Sequence, residues 1–133
     1  MPDTAHARPA APLAAVGLAG LLGAAGVAHF VRPRGYEQLI PGPLGNPRAW
    51  VLASGAAELA CAVAIAIPRT RRIGSLAAAV LFVAVFPGNV KMALDSRPDS
   101  LSRVHRPGLA WGRLPLQVPL VAWALAVARG ARR

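Results

Sequence analysis

The 133-residue sequence predicts an all-α integral membrane protein, a bundle of four transmembrane helices. Three observations carry this reading. Hydrophobic residues make up 55% of the chain and charged residues 15%, an apolar excess over an ordinary soluble domain. The charges gather in short clusters between four apolar stretches, at about residues 13–31, 50–67, 73–93 and 109–128. Each approaches the roughly 20 residues that a helix needs to cross the hydrocarbon layer. Finally, AVGLAGLLGAAGVA and SLAAAVLFVAVF do not alternate apolar with polar residues, as a membrane β-strand would. Spans of this kind satisfy their backbone polar groups internally, as helices.

Residues 1–12, MPDTAHARPAAP, are polar and broken by proline, and we expect a disordered tail. Arg8, the apolar run and Gly26-Val27-Ala28 imitate a secretory signal, but the run is longer than a signal core. We read it as a retained first helix. Gly17, Gly20, Gly23 and Gly26, with small pairs four apart such as Ala15 and Ala19, fit close helix packing within the bundle or against a second copy.

The first loop, RPRGYEQLIPGPLGNPR, has four prolines and three glycines beside Tyr36, Leu39, Ile40 and Leu44. We expect it to fold back as a lid. Span two ends in the tight hairpin PRTRR. Pro87 and Gly88 break span three, and a third loop with Arg97, Arg103, His105 and Arg106 follows. Span four begins RLPLQVPLVAW, where Pro115 and Pro119 are expected to kink the first turns. Residues 129–133 form a basic tail.

A net charge of +10 would point to nucleic acid in a soluble protein. Here the arginines lie at helix ends and in loops, where they meet membrane lipid head groups and set topology. No basic helix face carries interleaved aromatics, so nucleic acid is not an expected partner. The PRTRR hairpin favours both termini in the cytoplasm. Cys61, the single cysteine, lies within span two and permits neither an intramolecular disulfide nor a CxxC pair, so it reads as a packing residue.

Glu58 stands near the middle of span two. An ionised carboxylate there costs several kcal/mol, so it must face the bundle interior and pair, hydrogen-bond or take up a proton. Counting along the spans places His29, Asn89, Lys91, Arg113 and Gln117 in the leaflet facing loops one and three, with Glu58 at their deep end. The other half holds almost nothing polar. This asymmetry predicts a cavity open towards those loops, with Glu58 and His29 as candidate acid and base and Asn89, Gln117, Lys91 and Arg113 as ligand-binding groups. The plainer alternatives are a structural hydrogen bond from Glu58, for instance with Ser54, and a surface pair between Lys91 and Asp95. His29 and Glu58 are too few ligands for a closed metal site.

The motifs GVAHF, SGAAELACA with PRTRR, LFVAVFPGNVKMALD and RLPLQ resemble the DoxX-like family of small bacterial membrane proteins. The resemblance spans about residues 13–128 and implies a four-helix bundle in the cytoplasmic membrane, with inward polar positions at His29, Glu58 and Asn89. It also implies membership of a membrane oxidoreductase system with a partner subunit, although the chain lacks the CxxC of the redox-active relatives.

Three functions fit these observations. The first is a subunit binding a quinone or another lipophilic small molecule, whose carbonyls need donors such as His29 or Asn89; it has no covalent cofactor. The second is a component of a small-solute or proton-coupled transporter, for which a homodimer would supply eight spans. The third is a membrane enzyme using Glu58 and His29 on a lipid-like substrate. A structural scaffold explains the glycines but not the one-sided polar cluster.

Overall fold

Each apolar stretch is helical in the computed structural model, which describes residues 10–99 and 106–131. The helices are α1 (Ala10–Val31), α2 (Pro33–Glu37), α3 (Pro47–Ala66), α4 (Arg71–Ala84), α5 (Phe86–Asp95) and α6 (Pro107–Gly130), with a 3-10 turn at Gly42–Leu44. There is no strand among the described residues. Four spans are long and apolar enough to cross a membrane, α4 and α5 together forming the third. The protein is thus a multi-pass membrane protein. Of the expected N-terminal tail, residues 1–9 lie outside the described residues, while residues 10–12 belong to α1. Arg103 and His105 of the third loop, and Arg132 and Arg133 of the basic tail, also lie outside them.

Local chemistry sets the helix ends. Asn46 caps α3 by accepting a hydrogen bond from the Arg48 amide at 3.1 Å, and Pro47 takes the first position, where no N–H is needed. At the other end of α3 the hairpin turns back on itself. Thr70 Oγ1 donates to the Ala64 carbonyl at 2.8 Å and Arg71 Nε to the Ile65 carbonyl at 2.8 Å. A cation thus satisfies the free carbonyls at the negative end of the helix dipole. Arg71 works as a cap here, a role that its place beside the lipid head groups does not reveal.

The third span breaks at Val85, between α4 and α5. Pro87 has no N–H to give the Val83 carbonyl, so the disturbance falls in the turn before the proline. α6 runs unbroken through Pro115 and Pro119.

The spans pack in the order α1, α3, α4, α6, and α1 returns against α6. Large apolar side chains point outward, among them Leu13 at 71% exposure and Ile73 at 72%, an arrangement suited to lipid rather than water. Inside, Leu18, Leu22, Ile65, Ala78, Phe82 and Ala124 fill the half nearest the PRTRR hairpin, and Cys61 is buried in the same core. Trp123 Nε1 ties α6 to α1 by donating to the Ala14 carbonyl at 2.9 Å. In the other half, α5 leans on α6 through Met92, Ala93 and Ala110 while α1 and α3 stay together. The space left between the two pairs is the cavity described next.

Candidate functional site

α1 and α3 cross where both backbones carry glycine. A Cβ at Gly26 would sit 2.8 Å from Leu59 Cγ and 3.0 Å from the Gly55 carbonyl oxygen. His29 follows Gly26 by three residues and Glu58 follows Gly55 by three, so each polar side chain shares a face with its glycine. The close crossing brings His29 Nδ1 within 3.0 Å of Glu58 Oε2. Glu58 is 9% exposed, and His29 on the neighbouring helix is the charged or polar side chain that faces it.

His29 Nδ1 also lies 2.7 Å from the Ala25 carbonyl oxygen. Nδ1 holds at most one hydrogen, and two acceptors face it. When that hydrogen goes to the Ala25 carbonyl, Glu58 Oε2 is buried without a donor from the protein. On its open side the His29 ring stacks on Tyr36, with centroids 4.0 Å apart and planes 15° apart. Tyr36 is a site residue that periodicity could not find, because it sits in a short helix within the proline-rich loop.

The second polar group joins α5 to α6. Asn89 Nδ2 donates to Gln117 Oε1 at 3.1 Å, and Gln117 Nε2 donates to the Phe82 carbonyl. Gln117 is buried and spans the α4–α5 break, so most of its hydrogen-bonding capacity goes to bracing that break. Arg113, one turn earlier on α6, makes only a weak contact from Nη1 to Met92 Sδ at 3.8 Å.

Both groups face one cavity of about 630 Å³. Its upper wall is loop one, with Tyr36, Leu39, Ile40 and Leu44, and its polar band comprises His29, Ser54, Glu58, Asn89, Arg113 and Gln117. Leu21, Phe82, Leu120 and Trp123 form an apolar floor. The loop is pinned on both sides. Trp50 Nε1 donates to the Leu44 carbonyl at 2.8 Å, and Lys91 Nζ donates to the Gln38 carbonyl at 2.8 Å.

Lys91 does not join the cavity as the sequence led us to expect. It pairs with Asp95 at 2.6 Å and holds the loop from outside. Asn89 and Lys91 are two residues apart on a helix, roughly 200° around its axis, so both cannot face one cavity. Among the described residues no third His, Cys, Asp or Glu joins His29 and Glu58 in a group able to hold a metal ion.

Residues 18–128 match the family described as a domain of unknown function, DUF8561. The chain belongs to the DUF8561 family. This corrects the expectation of a DoxX-like protein, because the match falls on DUF8561 and none falls on a DoxX family. The motifs behind that expectation are short runs of small and apolar residues, which recur wherever membrane helices pack closely. The DUF8561 match extends from α1 to α6 and includes every cavity residue named above. No curated protein and no solved structure matches the chain.

Proposed function

We propose that this DUF8561 protein binds one lipophilic small molecule, its polar head at the band formed by His29, Glu58, Asn89 and Arg113 and its apolar part towards Leu120 and Trp123. The observation that carries this reading is the combination of a large, mainly apolar cavity with a few convergent polar groups, one of them Glu58, whose Oε2 lacks a donor when His29 Nδ1 donates to the Ala25 carbonyl. Sites for small molecules are built in this way, within a range of about 300–1,000 Å³. A structural bundle gains nothing from leaving a buried carboxylate oxygen without a donor, whereas a ligand hydroxyl or N–H would satisfy it.

Quinone-type rings belong to the class of molecules this reading admits, since their oxygens accept from Asn89 and Arg113 and their reduced hydroxyls donate to Glu58. The oxidoreductase setting rested on the DoxX resemblance and is not carried forward. We place the protein in the cytoplasmic membrane, with the PRTRR hairpin on the cytoplasmic side.

Trp50 and Trp123 line the cavity and Trp111 does not, so tryptophan fluorescence tests the reading. A short-chain quinone titrated into a Trp111→Phe variant should quench the emission with one-to-one saturation. Quenching that rises without saturation would contradict a single defined site.

A further inference from the structure

The charges around the cavity say more about its occupant. Glu58 is the one carboxylate among the lining residues, and His29 already pairs with it. Arg113 adds a permanent positive charge, because guanidinium does not lose its proton in proteins. Among the described residues no carboxylate lies within ion-pair distance of Arg113, and its recorded partner is the weakly accepting sulfur of Met92. The lining therefore carries a guanidinium with no carboxylate at ion-pair distance, beside an apolar chamber. The partner that a guanidinium fork binds best there is a planar, bidentate anion.

Size narrows the choice. At roughly 30 Å³ per non-hydrogen atom, the share of one water in the liquid, the cavity seats about 20 such atoms. That suits one long-chain carboxylic acid and is far short of a two-chain phospholipid. Orientation follows from the same residues: the carboxylate meets Arg113 near the loops, and the tail passes the His29–Glu58 pair to reach Leu120 and Trp123.

Resting on the reading of this cavity as a ligand site, we infer that its occupant is a single-chain lipophilic acid with Arg113 as the counterion. Arg113 is itself exposed, so a bilayer phosphate is the competing source of negative charge. The test uses the full chain in phosphatidylcholine nanodiscs at pH 8, titrated with palmitic acid, with hexadecanol, and with palmitic acid after part of the lipid is replaced by phosphatidylglycerol. The inference expects palmitate to bind one-to-one and roughly tenfold to a hundredfold tighter than the alcohol, as charge-assisted hydrogen bonds imply. Arg113→Gln should erase that preference while alcohol binding remains, and Arg113→Lys should restore part of it.

Equal binding of acid and alcohol by the unaltered chain overturns the inference and leaves the ligand site standing. So does displacement of palmitate by phosphatidylglycerol, which assigns Arg113 to bilayer lipid. If neither palmitate nor hexadecanol binds, the ligand-site reading falls with it. The unaltered chain decides these outcomes even where Arg113→Gln does not fold.

Discussion

A methyl group added at Gly55 would lie 2.7 Å from His29 Cβ, so the meeting of His29 with Glu58 depends on α3 having no side chain at that point. Gly55→Ala should push α1 away from α3 and cost about 1–3 kcal/mol, the usual range for overpacking. Thermal unfolding in mild detergent reads the loss directly. Gly20→Ala supplies the contrast, because its added methyl meets nothing within 4 Å, and it should leave the transition unchanged or raise it by up to about 1 kcal/mol. Equal shifts from the two substitutions would mean that glycine spacing alone, and not this crossing, matters.

His29 and Glu58 should behave as one energetic unit. His29→Phe keeps a ring to stack on Tyr36 but loses the nitrogen, and Glu58→Gln removes the charge. In a double-mutant cycle the combined loss should fall short of the sum of the single losses by about 1–3 kcal/mol. Strict additivity in the unfolding free energies would show that the two side chains do not interact.

Gln117→Leu should destabilise through what it leaves behind. The Phe82 carbonyl loses its side-chain donor and Asn89 Nδ2 its acceptor, both close to the break at Val85. An orphaned buried polar group costs about 1–3 kcal/mol, to be seen as a lower unfolding midpoint. A midpoint at or above that of the unaltered chain would remove the bracing role assigned to Gln117.

Lys91 should prove dispensable for binding. Its exposed pair with Asp95 is worth about 0–1 kcal/mol, and it does not line the cavity. Lys91→Met should change quinone affinity less than twofold in the fluorescence titration. A tenfold loss would mean that Lys91 acts on the ligand, directly or through its hold on loop one at Gln38.

Much of this arrangement is legible in the sequence, and the parts that are not have physical reasons. A buried glutamate must find a polar neighbour, and depth along the spans correctly gathers His29, Asn89, Gln117 and Arg113 near it. Depth contains no azimuth, however, so it groups Lys91 with Asn89 although the two lie on opposite sides of the helix. Tyr36 belongs to the loop expected to fold back as a lid, but no period in the sequence marks its stacking on His29, and none marks Trp50, at the start of α3, as a cavity residue. Pro87 marks the broken span, yet the break appears two residues earlier at Val85, in the turn whose Val83 carbonyl the proline leaves without its N–H. Gly26 reads as one of four packing glycines in the first span, and only its crossing with Gly55 shows that the two position the polar pair.

The most direct test of the central claim is native mass spectrometry, with lipid extraction, of the protein purified in mild detergent, comparing the unaltered chain with Glu58→Gln. A cavity built for one lipophilic ligand predicts a single stoichiometric small molecule on the unaltered chain and a reduced amount on the variant. Bulk phospholipid alone in both samples would contradict it, and His29 and Glu58 would then be read as a pair that fixes how α1 and α3 cross.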